Sequence, residues 1–224
     1  MSSRLLSTII ILELLILKTA EKILLISLDL FNSQGERHTT SVDIANELDI
    51  SPGNLYYHYK GKDDIINALV DSYISKINAI PQSTENHEDF YKYLFYCLET
   101  MHLFRFLFQN IAEISTQYPA ITSKLQRLAK FQREHLRNSL TELQKNGTLT
   151  GTSTDIDLLL DIISLTLFQS LNYYQMQGDS LSNPDIVYRT LMTIYFSLQP
   201  YYQEDSDTPE IKMAILNKTL IKKT

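Results

Sequence analysis

The sequence predicts an all-α protein, a short three-helix head followed by a larger helical domain. Three observations lead there. Apolar residues recur at three- and four-residue spacing over long stretches, no segment keeps the alternation of a strand, and only 6 Gly and 6 Pro interrupt 224 residues. Turns are therefore few and elements long. A hydrophobic content of 44% against 21% charged belongs to a chain that folds around a core. The single cysteine, Cys97, excludes an intramolecular disulfide and a Cys-rich zinc site. Among the apolar residues of FYKYLFYCLE it reads as a buried, inert thiol in a reducing, cytoplasmic setting. The 5 histidines are scattered without ligand spacing, so no metal and no cofactor is expected.

Residues 1–17, MSSRLLSTIIILELLIL, begin like a signal peptide, with Arg4 ahead of an apolar run. Glu13 interrupts that run, no small-residue cleavage site follows, and the run is too short to span a bilayer. It reads as an atypical extension, or as a start assigned upstream of a true one near Leu17; no membrane partner is expected. From Ala20 the apolar stripe 20, 23, 24, 28 and 31, with Ser27 on it, predicts a four-turn helix closed by Gly35. In TTSVDIANELD, Thr40 and Asp43 make a capping box, and Ile44, Ala45 and Leu48 are the inward stripe of a short second helix. Asp49-Ile50 forms the break. Ser51 is then an N-cap and Pro52 takes the first helical position, where no N–H is needed. The third helix runs from Pro52 to Tyr59, with Leu55 and Tyr59 turned inward.

A fourth helix begins near Lys62 on the stripe Ile66, Leu69, Val70, Tyr73, Ile74 and Ile77, and Pro81 stops it. The polar PQSTENH segment marks the boundary, so 18–66 forms the head, 67–80 a connecting helix and 81–200 the larger domain. Helices are expected there at 88–117, 120–145, 155–177 and 184–199. The tail, 201–224, holds an acidic EDSD and then a short amphipathic helix in IKMAILNKTLIKK.

Two short helices with a tight break, the second beginning Ser-Pro, have the layout of a helix-turn-helix, whose second helix enters the DNA major groove. The stretch SPGNLYYHYKGK, 51–62, has no acidic residue in a chain with 26 Asp+Glu against 20 Lys+Arg. A carboxylate there would face phosphates. Ser51 and Asn54 can donate and accept at base edges, Gly53 permits close backbone approach, and Tyr57 can meet thymine methyls. Tyr56, His58 and Lys62 offer donors to phosphate oxygens. Tyrosines on a short helix are often core, but Leu55 and Tyr59, four apart, share one face, so 56–58 cannot all point inward. The net charge of −6 argues against a nonspecific polyanion binder and leaves room for a specific one.

The run TTSVDIANELDISPGNLYYHYKGKDDII resembles the DNA-binding signature of the TetR family of bacterial one-component regulators. That signature is a Thr-led second helix, an Ile-Ala pair, then Leu-Tyr-x-His-aromatic-x-x-Lys. Here these are Thr40, Ile44-Ala45, Leu55-Tyr56-Tyr57-His58-Tyr59 and Lys62. The likeness covers about 18–66; beyond 80 only the helical layout is similar. It implies an all-helical homodimer with two helix-turn-helix DNA-binding heads and a C-terminal dimerisation and effector-binding domain. Thr40, Tyr56, His58 and Lys62 would hold phosphates, while Ser51, Gly53, Asn54 and Tyr57 would face the bases of a palindromic, double-stranded operator. Such a regulator would be a repressor released by a small-molecule effector. Two departures matter. Asp49 stands where the family has Gly, and Asp tolerates left-handed backbone. Residues 1–75 hold 6 Lys/Arg against 10 Asp/Glu, a net of −4, so affinity should be modest.

FYKYLFYCLETMHLFRFLFQNIAEI carries 8 aromatic residues, which fit either ordinary core or the wall of an apolar cavity. Met101, His102, Arg105 and Phe108, with Phe168 and Tyr173, are the expected effector pocket; His102 is also readable as a buried, hydrogen-bonded histidine. DIDLLLDIISLTLF and IVYRTLMTIYFSL, in helices 155–177 and 184–199, hold more apolar surface than one small domain covers, and a two-fold interface would bury it. The alternative is a helical small-molecule or lipid-binding protein, or an enzyme, using the aromatic segment 88–117. Against an enzyme, no nucleophile–base pairing, Gly-rich phosphate loop or catalytic carboxylate pair stands out.

Overall fold

A computed structural model describes residues 18–82, 86–109, 111–203, 208–218 and 220; the expectations for 1–17 and for the EDSD patch lie outside it. The described chain is helical throughout and divides into two compact units between Ser72 and Tyr73.

The first unit contains α1 (Thr19–Gln34), α2 (Ser41–Glu47), α3 (Pro52–His58) and the start of α4 (Lys62–Asn78). Helix α1 buries Ile23, Ser27, Leu28, Leu30 and Phe31, one face of a 3.6-residue period. Gly35 ends it at φ 87°, a left-handed backbone that glycine adopts without penalty, and a 3-10 turn over Glu36–His38 follows. The predicted capping box at α2 is present. The Thr40 N–H donates to Asp43 Oδ2 (2.8 Å) and the Asp43 N–H donates to Thr40 Oγ1 (3.2 Å). Ile44 and Ala45 are fully buried. The break turns at Asp49, whose φ of 53° is the left-handed conformation expected of it. Leu55 is the buried residue of α3, and the Tyr59 hydroxyl donates to the Ala20 carbonyl (3.3 Å), tying the end of α3 to the start of α1.

The second unit contains α5 (His87–Leu103), α6 (Phe106–Gln109), α7 (Ile111–Gln117), α8 (Pro119–Lys145), α9 (Ser153–Met176), α10 (Asp185–Leu198) and α11 (Thr208–Leu216). One helix was expected over 88–117, and the structure corrects this. Phe104 leaves the helical region at φ −104°, ψ 35°, and three pieces follow one another. The break lets Phe104, Phe106, Leu107 and Phe108 all be buried, which one face of an unbroken helix could not do. Helix α9 packs on α8 and α10, and α10 packs on α5. Thr152 and Asp155 form a second capping box at the head of α9. Past α10 the chain pairs back on the α8–α9 turn, the Thr150 N–H donating to the Tyr201 carbonyl (2.7 Å), and the Tyr91 and Tyr202 hydroxyls meet at 2.6 Å. Helix α11 lies on α10 through Ile211 and Ile215. Among the described residues, no helix is long and apolar enough to cross a membrane.

The turn at Asp49 makes a stability prediction. Asp49→Ala forces a Cβ-bearing residue without a local hydrogen-bonding side chain into left-handed backbone and should destabilise the head by about 1 kcal/mol, whereas Asp49→Gly should not. Chemical denaturation of the two variants checks this. The Asp43 carboxyl is held below its ordinary 3.8 by its side-chain and backbone bonds to Thr40. A depressed folded-state value means a contribution present above pH 3.8 and lost as pH falls below it. Asp43→Asn should remove that part of the acid dependence of unfolding.

Candidate nucleic-acid interface and ligand cavity

Helix α3 has seven residues and no carboxylate, and its N-cap is made locally: the Ser51 hydroxyl accepts from the Asn54 N–H (3.2 Å), with Pro52 at the first helical position. Leu55 alone points into the head. Pro52, Gly53, Asn54, Tyr56, Tyr57 and His58 are all exposed, Tyr57 at 86% and Tyr56 at 49%. Large aromatic side chains so exposed are costly to leave in water and mark a surface that meets something. The Tyr57 and His58 rings touch edge-on, 5.1 Å between centroids, so each braces the other.

The remaining predicted contacts are held in distinct ways. Thr40 is exposed, but its hydroxyl donates to Asp43 Oδ2 (2.6 Å) while accepting the Asp43 N–H, so a phosphate there shares the group with the cap. Lys62 opens α4 and turns back to Glu36: Nζ lies 2.8 Å from Glu36 Oε1 and donates to the Glu36 carbonyl at 3.1 Å. Two of its three N–H donors are engaged. The Glu36 side chain is only 7% exposed, so Lys62 neutralises a buried carboxylate. Sequence reasoning missed Glu36, which carried no signal beyond lying one residue past the glycine that ends α1. Thr40, Ser51, Gly53, Asn54, Tyr56, Tyr57 and His58 thus share the exposed surface of α2, the break and α3, with Lys62 partly withdrawn from it.

The second unit contains a cavity of about 300 Å³ lined by Tyr73, Phe108, Ile111, Ser115, Thr122, Leu125, Gln126, Leu128, Ala129, Gln132, Phe168 and Gln169. Phe108 and Phe168 of the expected pocket are on its wall. Met101, His102, Arg105 and Tyr173 are not. An unbroken helix would have carried Met101, Arg105 and Phe108 on one face; the break after Leu103 separates them. Met101 is buried in packing, and Tyr173 is exposed and stacked edge-on with Tyr174. The Arg105 guanidinium donates to the His102 carbonyl (3.3 Å). His102 keeps a buried Nε2 without a hydrogen-bond partner, and burial, with Arg105 nearby, pushes its imidazolium down. The hydrogen bond expected of a buried histidine is thus missing at Nε2. The wall that sequence reasoning missed is on α8, where Thr122, Leu125, Gln126, Ala129 and Gln132 follow helical spacing. That stripe was visible in the sequence, but it mixes amides with apolar residues and resembles a solvated face. Cys97 is buried behind it, its thiol pushed up to about 12 by burial.

Residues 23–69 match the model for bacterial regulatory proteins of the tetR family, and residues 72–209 match the TetR model, described as a bacterial transcriptional repressor. The chain is 28% identical over 136 residues to the HTH-type transcriptional regulator QacR of Staphylococcus aureus, covering 58% of this chain and 71% of that protein. It is 27% identical over 129 residues to the biofilm operon icaADBC HTH-type negative transcriptional regulator IcaR of Staphylococcus epidermidis, covering 58% of this chain and 64% of that one, just under two thirds of its length. The fold is similar to that of a TetR-family transcriptional regulator from Marinobacter aquaeolei VT8, with TM-score 0.77, 23% identity, and coverage of 89% and 99% of the two chains. It is also similar to the ketosteroid transcriptional regulator KstR2 of Mycobacterium tuberculosis, with TM-score 0.65, 21% identity, and coverage of 84% and 96%. Two family models that together take in both compact units show what the chain is: a member of the tetR family of bacterial regulatory proteins.

Proposed function

We propose that this chain is a cytoplasmic, sequence-specific transcriptional regulator, a repressor that binds a palindromic double-stranded operator as a homodimer and is released by a small molecule. The observation that carries this reading is α3, a carboxylate-free helix anchored by Leu55 alone, with its aromatic and polar side chains exposed. Ser51, Gly53, Asn54 and Tyr57 face bases; Thr40, Tyr56, His58 and Lys62 take phosphates. An operator phosphate competes with Glu36 for Lys62, so that contact contributes less than a free lysine would. This reading is favoured over a binding protein or enzyme built on the aromatic segment alone, because only the regulator uses both family-matched units.

The apolar surface left on the last long helices supports a second copy as partner. Leu158, Ile162, Leu165, Tyr173 and Met176 of α9 and Phe196 of α10 are exposed, and the α9 residues follow helical spacing along one stripe. Coupling to the effector runs through α4, one continuous helix that holds Lys62 at its start and puts Tyr73 on the cavity wall. A ligand that prefers one placement of Tyr73 biases the helix that starts in the head, which is all that linkage requires.

Three outcomes are expected with an operator recovered by selection from random duplex DNA. Tyr57→Ala should weaken operator binding by roughly five- to a hundred-and-fifty-fold, the value of about 1–3 kcal/mol for a base contact, without lowering the melting temperature. Unchanged affinity by fluorescence anisotropy would remove α3 as the reading surface. The paired variant Glu36→Gln/Lys62→Met, which leaves no buried charge unpaired, should lower the slope of log affinity on log salt by less than the value of about one that a free lysine gives. Leu165→Glu should yield a monomer in analytical ultracentrifugation with weakened operator binding; a dimer of unchanged strength would place the interface elsewhere.

A further inference from the structure

One residue of the cavity wall carries an unused hydrogen-bonding atom. Gln132 is only 4% exposed; its Nε2 donates weakly to the Cys97 thiol at 3.7 Å, and its Oε1 has no hydrogen-bond partner. The Tyr93 hydroxyl lies beside this amide and Cys97 without reaching bonding geometry, and its ring packs tilted against His135, 4.3 Å between centroids. A buried amide oxygen with no donor is unfavourable and uncommon, and on a residue that lines a cavity it is an atom a ligand can satisfy. Ile111, Gln126 and Gln169 are exposed, whereas Tyr73, Phe108 and Gln132 are buried, so Gln132 belongs to the deep end and the other three to the mouth.

None of the twelve lining residues is charged at neutral pH. Tyr73 stays a neutral phenol, since burial raises its ionisation far above the ordinary value. Its ring and that of Phe108 meet edge-on at 5.6 Å, which gives the wall an aromatic corner. An anion entering this space would lose its water with no cation to meet it, and a cation would find rings but no carboxylate. Filled to interior packing density, about 300 Å³ holds roughly a dozen to fifteen non-hydrogen atoms.

We propose that the cavity takes an uncharged, mainly apolar or aromatic small molecule bearing one hydroxyl or N–H, which it donates to Gln132 Oε1 at the deep end. The inference rests on the cavity being the effector site and adds the chemical class of the effector. The aromatic walls supply most of the binding; the single donor sets orientation, and its loss leaves the buried oxygen unpaired.

Isothermal titration of the full-length chain with four molecules on one ring system tests this: 2-naphthol, 2-methoxynaphthalene, 2-naphthoate and 2-naphthyltrimethylammonium. The expected result is that 2-naphthol binds at least tenfold tighter than each of the others. Gln132→Met, which fills similar volume without an acceptor, should abolish the preference for 2-naphthol over its methyl ether. No binding of 2-naphthol, equal binding of the ether, or tighter binding of either ion overturns the proposal, and this series on the unaltered chain decides even if Gln132→Met does not fold. A preference that survives in folded Gln132→Met also overturns it. Operator complexes titrated in parallel separate the two readings. The expected 2-naphthol pattern with undisturbed DNA complexes would contradict the effector role and leave the ligand chemistry standing. Release of DNA by all four molecules alike would do the reverse.

Discussion

The burial of Leu55 is the constraint on which the head depends. A seven-residue helix is not stable alone, since nucleation is unfavourable and few hydrogen bonds follow it. Helix α3 persists because Leu55 is fully buried beside Ile44 and Ala45, worth about 1.5–3 kcal/mol by transfer, and because both ends are tied. Ser51 holds the start. The Tyr59 hydroxyl on the Ala20 carbonyl holds the end. With a single inward residue doing the anchoring, the other six positions are free to be chosen for what they meet outside. This is why so short a helix can expose two tyrosines and a histidine without unfolding.

The same economy constrains electrostatics. In residues 18–72 five Lys/Arg stand against nine Asp/Glu, and one of the five, Lys62, already neutralises Glu36. Asp63 and Asp64 are exposed directly after it. On the proposed reading, phosphate neutralisation would supply little of the affinity for DNA, and the aromatic and polar groups of α3 a correspondingly larger share. A regulator built this way gains discrimination at the expense of nonspecific grip.

Much of the head was legible because its turns are written in local chemistry. Thr40 with Asp43, Ser51 with Pro52 and the left-handed Asp49 are each decided by two or three neighbouring residues, and each is present as expected. The larger unit was legible only as a set of helices. The break at Phe104–Arg105 has no glycine or proline to announce it; it exists because four apolar side chains in a row of five gain more from burial than the helix loses in hydrogen bonds. That break also scattered the expected pocket. The cavity wall on α8 followed a readable spacing, but its amides and small residues resemble a solvated face until neighbouring helices close over them. Glu36 was illegible for a related reason, since only the fold brings Lys62 back to it across 26 residues.

The measurement that bears most directly on the account is a heteronuclear NMR spectrum of the full-length chain labelled with 15N-tyrosine. It would be recorded with a selected palindromic duplex and with a scrambled duplex at the same salt. The account predicts that the palindrome shifts the Tyr56 and Tyr57 amide signals while Tyr91 and Tyr93 in the core of the second unit keep theirs, and that the scrambled duplex leaves all four in place. Saturating, palindrome-specific binding that leaves Tyr56 and Tyr57 unmoved would contradict it.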